Sequence, residues 1–569
     1  MDAPRNRVLG LCSPYMDPSR LPARARPGLA ILVIGAALAA GLGTPWFLDY
    51  DEAVYAEVAH QMWASGDWLR PVSNCAPFYE KPVLFYWLAA ALYKLLGLTP
   101  VAPRLVSALA LLLGLACLAR EVARRATPEA AEAVVWVAGA SLLPFSLGRV
   151  GLLDAFLTTA MLAALLAFLR GLGEEDSRRR RGALALGYAA TGVSLAVKGP
   201  VFPLIVAGVL LGDAVARRDV RRTLRRSGIL WGVPLVLVVG LPGYVLTAGA
   251  AGAAFLTEFL GEHNLGRALT PMQGHQGSPL YYLVVLAAGF LPFTAFLPQA
   301  LLRVGRYDSQ SRRLAGFATV WGLLVVVAFS LVATKLPNYI APAIPAFAIV
   351  VALALATEGR KRVAGWHVTV VLCVGFALLI AALPTLLARL PAFLGREILK
   401  RAPELAHLPG GPWPGLGFLL AAVLLAAGSV GAWVLADRGP GLRAVRALGI
   451  TGALAWSLLH FSLGDLVNAT SIDPVRHLAA VAAQGLQPGV PIHVVEMNHR
   501  VTQNLETGRC TVFLRARTPA ERNHVREILA HDGAVRVIIG DAWWDEIRAT
   551  VGGREVARDG AYVLVAGGG

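Results

Sequence analysis

Charged residues set singly into an apolar chain are the first candidates for chemistry. Asp51 and Glu52 directly follow an apolar block, and single lysines stand in Glu80-Lys81-Pro82, Lys198-Gly199-Pro200 and Lys335-Leu336-Pro337. A carboxylate at a helix end can take a proton from an acceptor hydroxyl, or orient it. A lysine at the same height can hold a phosphate as a point charge, and an arginine can grip two of its oxygens. Such a set suits a substrate that is half lipid and half phosphate. Asp51 is the first candidate for a base or acceptor-orienting group, with Glu52 beside it and Asp154 as a second acid. The bland alternative for Asp51 is an N-cap on an amphipathic helix. The spacing of Val54, Val58 and Met62 predicts a helix over 52–65, which puts Tyr55 and Glu52 on one face.

The elements that must position these residues are membrane helices. Of the 569 residues, 56% are hydrophobic and only 15% charged, against about 25% charged in soluble domains. Mean hydropathy is +0.59. Apolar blocks approach or reach the roughly 17–25 residues needed to cross the hydrocarbon layer. They are expected at 28–47, 104–119, 131–148, 153–169, 183–197, 200–215, 229–248, 280–302, 314–332, 338–356, 366–387, 414–436 and 447–464. This makes the chain an all-α polytopic membrane bundle of about thirteen helices.

The net charge of +16 would suggest nucleic acid in a soluble protein. Here the arginines cluster in every second loop, in Arg178–Arg181, in the run from Arg217 to Arg226, and at Arg303, Arg306, Arg312 and Arg313. Those loops and the tail 1–27 are therefore expected to be cytoplasmic. The first block, 28–47, could pass for a signal peptide, but its length favours an uncleaved anchor. The opposite loops, above all 48–103 and 249–279, face outward. So does the polar tail 465–569, whose apolar runs Ile492–Val495, Thr511–Leu514, Val535–Ile539 and Tyr562–Val565 predict a small α/β domain. The transmembrane part is thus 28–464. Cys75 and Cys510 both fall outside and could pair, although the sequence gives little reason to favour a disulfide. Cys117 and Cys373 read as small core residues. Only Lys361 among the six lysines serves a cytoplasmic loop, so the others need another explanation.

The ordered run Asp51-Glu52, Tyr55-Ala56-Glu57, Gly66-Asp67-Trp68, Pro71, Asn74, Tyr79-Glu80-Lys81-Pro82 and Tyr86-Trp87 resembles the first outer loop of aminoarabinose lipid A transferases. With the protein O-mannosyltransferases these form part of the GT-C glycosyltransferases. Three later stretches are similar in the same order. Gly148–Ala155 resembles a second acidic loop. Glu262-His263, Arg267, His275 and Pro279–Tyr282 resemble a central loop. Lys335-Leu336-Pro337-Asn338-Tyr339 resembles a late motif. The likeness spans about residues 28–390.

The resemblance implies a GT-C fold and transfer of a sugar from a polyprenyl-phosphate donor to an extracytoplasmic acceptor, lipid A-like lipid, protein or other glycan. It implies membrane lipids as surroundings and no nucleic acid as partner. Lys81, Arg267, Lys335 and Tyr339 are expected at the donor phosphate, and Tyr55, Tyr79, Glu262 and His263 in substrate positioning. A divalent metal at Glu80, with His407 joining, is a further expectation from the resemblance. A lone histidine in a Pro/Gly-rich loop is usually a surface residue, and Glu262-His263 also reads as a helix-end pair. Trp543-Trp544-Asp545 reads as packing. The rival function is a transporter or flippase of a lipid-linked or acidic solute. Transporters tend to carry repeated halves, and none is evident here.

Overall fold

The computed structural model describes residues 25–48, 51–266, 277–357, 365–394, 396–408, 415–439, 441–497, 502–530 and 535–567. The first helices are Arg26–Ala39 (α1), Asp51–Ser65 (α2), Leu84–Leu96 (α3), Val101–Arg125 (α4), Pro128–Gly139 (α5), Leu142–Arg149 (α6), Leu153–Gly173 (α7), Ser177–Lys198 (α8) and Val201–Ala216 (α9). Beyond them the long helices are Ser309–Leu331, Ile344–Thr357, Gly365–Phe393, Gly415–Arg438 and Gly441–Val467.

Among the described residues, seven helices are long and apolar enough to cross a membrane, or ten if each bent pair is one span. The expected count of thirteen is not reached by this measure. The reasons are local. The helices α1 and α9 have 14 and 16 residues, just short of a full span. The helix α8 begins in the Arg178–Arg181 run, which dilutes its apolar character. Two expected spans are bent pairs, α5 with α6 at 65° and Tyr281–Gly289 with Thr294–Leu302 at 115°. The expected span 229–248 divides into Ile229–Gly240 and Pro242–Ala251, and the arginine helix Val220–Ser227 meets the first of these at 57°. The segment Pro337–Ala356 is apolar on every side and buried inside the bundle, as a helix without a polar face must be.

Two short elements bring the outer loops together. Strands Val72–Ser73 (β1) and Ala76–Pro77 (β2) form a hairpin whose turn residues Asn74 and Cys75 both have positive φ, 50° and 59°. That left-handed turn matches the twist of a two-residue hairpin. The helix α8 ends at Gly199, with φ 116°. A Cβ there would lie 2.9 Å from Asn264 Oδ1 and 3.1 Å from the Phe259 ring. Glycine is thus required both by the backbone and by the close approach of the central loop.

The C-terminal strands are Ile492–Val495 (β3), Thr511–Leu514 (β4), Arg536–Gly540 (β5), Arg554–Asp559 (β6) and Tyr562–Ala566 (β7). They form one sheet of order β4-β3-β5-β7-β6, parallel between β4, β3 and β5 and antiparallel from β5 onward. Four of the five strands lie on the apolar runs of the sequence. The edge strand β6 does not, because its residues are mostly exposed and polar.

This sheet is fastened to the first outer loop. Cys75 and Cys510 form a disulfide with Cα atoms 5.7 Å apart, a pairing the sequence did not favour. Beside it, Asn74 Nδ2 donates to Thr511 O at 2.9 Å, and Thr511 N donates to Asn74 Oδ1 at 2.6 Å. Glu57 of α2 accepts from Ser73 Oγ, Asn74 N and Asn504 Nδ2 at 2.6, 3.0 and 3.0 Å. Burial pushes the Glu57 carboxyl up, and these three donors pull it back.

Candidate active site

The candidate site lies where α2, the Glu80-Lys81 loop, the start of α7, the end of α8 and the central loop meet. Its cleft is lined by Glu80, Lys81, Lys198, His263, Asn264 and Tyr339 on the polar side. Val201, Phe202, Phe259, Phe329 and Val332 make the apolar side. A cavity of about 110 Å³, open on one side, lies between them, room for a headgroup rather than for a whole lipid-linked sugar. The two-sided lining fits an amphiphile with an anionic head.

Two lysines supply the positive charge. Lys81 is 6% exposed, and its ammonium lies 3.6 Å from Glu80. Lys198 donates to Asp154 Oδ1 at 2.5 Å and sits 5.4 Å from the Tyr339 ring centroid. Local structure explains both positions. Pro82 follows Lys81 and ends the loop before α3. Lys198 is the last residue of α8, where a cation meets the negative end of the helix dipole. Asp154 is in the first turn of α7, where an anion meets the positive end. The helix Thr257–Gly266 has π-helical geometry and turns His263 toward Glu80 Oε2, 3.9 Å away, and Glu258 Oε1, 3.7 Å away. Burial raises the Glu258 carboxyl, and the charges of Glu262 and Glu80 raise it further.

The charges of Asp51 and Glu80 reach a pair of buried tyrosines, and that of Asp154 reaches one of them. Burial raises the Tyr55 hydroxyl most. The charges of Asp51, Asp154 and Glu80 act on it in the same direction, as does Tyr86. Tyr86 is raised by burial and by Glu80 and Asp51. The rings of Tyr55 and Tyr86 lie 5.7 Å apart. Asp51 itself is exposed, in the first turn of α2, and like Glu262 it is not among the side chains that line the cleft.

Several expected roles are corrected by the geometry. Glu52 does not have the surroundings of a catalytic group. It is 2% exposed and its oxygens accept from Arg104 Nε and Nη2, both at 2.8 Å, from Gly151 N at 2.7 Å and from Leu48 N at 2.9 Å. Its lone pairs are committed to tying α2, α4 and the loop before α7 together. Lys335 does not face the cleft as a phosphate ligand. Its Nζ donates to Phe329 O at 3.2 Å, Ser330 O at 2.8 Å and Val332 O, which closes the end of the helix Ser309–Leu331. Tyr79 packs on Phe255, centroids 5.6 Å apart, behind the central loop. Glu262 is exposed and does not line the cleft. Arg267 and His275 lie outside the described residues.

The expected metal pair does not form either. His407 Nε2 lies 2.6 Å from Asp541 Oδ2 in the C-terminal domain, while Glu80 faces Lys81 and His263. Among the described residues no group of three or more His, Cys, Asp or Glu side chains is placed to hold a metal ion.

The sequence reading set Lys198 apart as an outer lysine but did not place it in the site, and it missed the Arg104–Glu52 pair. For Arg104 a signal existed: an arginine at the outer end of an apolar block runs against the positive-inside pattern. For Lys198 the signal was its likeness to Glu80-Lys81-Pro82, a cation beside a helix-breaking proline.

The chain is similar to known proteins over much of its length. Residues 80–245 match the model of the dolichyl-phosphate-mannose-protein mannosyltransferase family. An undecaprenyl phosphate-alpha-4-amino-4-deoxy-L-arabinose arabinosyl transferase of Shewanella sediminis is 29% identical over 65% of this chain and 67% of its own length. One of Pseudomonas fluorescens is 28% identical over 67% of this chain and 68% of its own. One of Edwardsiella ictaluri is 30% identical over 53% and 54%. The crystal structure of ArnT from Cupriavidus metallidurans bound to undecaprenyl phosphate superposes with a TM-score of 0.77. It covers 95% of this chain and 97% of that one at 24% identity.

Fold and cleft thus define the class, a polytopic GT-C glycosyltransferase embedded in the membrane. Over about two thirds of its length the chain is similar to aminoarabinose lipid A transferases, and over nearly all of it it shares the fold of one.

Proposed function

We propose that this protein moves a sugar from a polyprenyl-phosphate carrier to an acceptor on the outer face of a bacterial inner membrane. Undecaprenyl phosphate-linked 4-amino-4-deoxy-L-arabinose, the donor in the relatives' names, is the first donor to test. The observation that carries the reading is the two-sided cleft, with Lys81 and Lys198 on one wall and aromatic and aliphatic side chains on the other. The prenyl chain lies along the apolar wall, and the phosphate meets the lysines.

In the proposed step the acceptor oxygen attacks the anomeric carbon as the bond from that carbon to the phosphate oxygen breaks. The proton goes to Asp51, and the leaving phosphate gains negative charge. Lys81 and Lys198 face that charge as it develops, so they favour the transition state over the ground state. Glu80 and Asp154 hold the ammonium groups in place until then. Arg267 is retained as a further phosphate ligand by resemblance. Transfer is direct and inverts the anomeric carbon. The N-terminal tail lies in the cytoplasm, and the C-terminal sheet lies outside with the cleft. The Cys75–Cys510 disulfide supports that side, because disulfides persist in oxidising compartments.

The test is transfer in proteoliposomes. Purified protein receives the aminoarabinose carrier and a lipid A-type acceptor, and mass spectrometry reads the modified acceptor. A parallel profile of envelope glycolipids and glycoproteins from cells with and without the gene identifies another sugar or acceptor. If no sugar-bearing species changes in either experiment, the reading is wrong.

A further inference from the structure

A second polar cavity lies at the far end of the bundle, on the arginine-rich side. Leu172, Gly173, Glu175, Arg217, Asp219, Arg222, Thr223, Arg226 and Arg313 line it. Its guanidinium groups are only partly balanced. Arg313 pairs with Asp213 at 2.7 Å. Arg217 lies 3.1 Å from Asp213 and 3.0 Å from Asp219. Arg226 lies 3.1 Å from Glu175, and Arg222 lies 3.6 Å from the same carboxylate. Four arginines therefore share three carboxylates. Arg218, Arg221 and Arg225 stand beside them, with no ion pair among the described residues. Arg226 donates through Nη1 to Glu175 and through Nη2 to Glu174 O, and its buried Nε makes no hydrogen bond, so a ligand there competes with the Glu174-Glu175 loop.

The elements fix the height of this cavity. The helix Val220–Ser227 contains four arginines and leaves Leu224 54% exposed. Directly after it the span Ile229–Gly240 begins, with Leu230 91% and Trp231 40% exposed. A leucine and a tryptophan turned outward at the foot of a span belong at the boundary between hydrocarbon and headgroups. The cavity thus opens at headgroup level, on the opposite end of the chain from the cleft.

We propose that this cavity binds the phosphate of an anionic phospholipid of the inner leaflet. Clustered basic side chains at the cytoplasmic foot of membrane helices attract anionic headgroups, and Arg222 and Arg226 are the ligands. Acyl chains then run along the exposed face of Leu224, Leu230 and Trp231. The source is a membrane lipid, because the cavity faces the bilayer boundary.

The experiment uses the full chain in detergent. Native mass spectrometry counts phosphatidylglycerol and cardiolipin retained by the wild type and by Arg222→Gln and Arg222→Gln/Arg226→Gln. Arg438→Gln, in another basic loop, is the control. Each lost arginine is expected to weaken retention about fivefold, with the control unchanged and phosphatidylcholine retained weakly throughout. Since Arg226 also ties down the Glu174-Glu175 loop, the exposed Arg222→Gln alone keeps the test valid should the double variant fold poorly. Equal retention by wild type and Arg222→Gln overturns the proposal. So does displacement of the lipid by millimolar inorganic phosphate, which would assign the cavity to a soluble anion. Sugar transfer does not enter either readout, so the result is independent of the function proposed above.

Discussion

Single residues carry the sharpest tests. Asp51 is exposed at the start of α2, and its field reaches Tyr55 and Tyr86. Removing a general base typically costs about 10²–10⁴-fold in rate. Asp51→Asn is therefore expected to cut turnover by that factor while leaving expression and thermal stability unchanged, as read by the proteoliposome assay beside a melting curve. Near-normal turnover would leave Asp51 only its capping role. The Asp154–Lys198 pair behaves differently, because its members are 4% and 11% exposed. Breaking a buried pair from one side leaves a charge without compensation and costs about 3–5 kcal/mol. Lys198→Met should therefore lose both stability and turnover. Asp154→Asn/Lys198→Met should recover stability in the melting curve without recovering turnover. Full recovery of turnover in the double variant would remove Lys198 from the site. The sequence singled out Asp51, Lys81 and Asp154 because each breaks a local pattern of charge. It misjudged Glu52 and Lys335 for a physical reason. A carboxylate consumed by an arginine 52 positions away, or an ammonium consumed by helix-end carbonyls, looks the same in one dimension as one facing a substrate.

At the scale of elements, the C-terminal domain is fastened to the loops on its side, and two of the fastenings are testable. One is the Cys75–Cys510 disulfide with its Asn74–Thr511 hydrogen bonds. Losing a native disulfide costs about 2–5 kcal/mol. Cys75→Ser/Cys510→Ser is expected to make the linker around 467–473 cleavable by limited proteolysis at a concentration of protease that spares the wild type. The second place is the last outer loop. Glu546 lies 2.7 Å from Arg522 and also meets Lys400. The hydrogen bond and charge of Lys400, then those of Arg522, hold its carboxyl below the ordinary 4.5. A carboxyl depressed in the folded state stabilises above its unfolded value. That contribution is lost as pH falls through the depressed one. The protection factors of amides in the segment 396–407, corrected for the intrinsic exchange rate, should therefore be flat down to about pH 4.5 and fall below it. In Glu546→Gln they should already be lowered at neutral pH and change little with acid. Element types were largely legible in the sequence, because apolar runs of strand length and of span length differ so clearly. The hairpin at Val72–Pro77 and the edge strand β6 were not, since both are short and polar and gain their form from what they pair with.

For the whole molecule, the organising fact is the separation of its two cations. Arginine fills the loops of one side, around the basic cavity, while Lys81 and Lys198 are reserved for the cleft at the other end. That division was legible from the sequence because it rests on residue type and loop order alone. Which outer segments touch was not, because the contacts join residues such as Glu57 and Asn504, 447 positions apart. The orientation is checked by labelling single cysteines in intact spheroplasts with a membrane-impermeant maleimide. In a chain with Cys12, Cys117 and Cys373 replaced by serine, Cys75 and Cys510 should label after an impermeant reductant, without permeabilisation. A cysteine placed by Arg221→Cys, beside the basic cavity, should label only once the membrane is opened. This orientation holds whether each bent pair is one span or two. The disulfide puts the first loop and the C-terminal sheet on one side, and the arginine loops are drawn to the other by their charge. Labelling of the Arg221→Cys variant in sealed spheroplasts would invert the chain. It would also turn Lys81 and Lys198 toward the cytoplasm, where the proposed acceptor is absent.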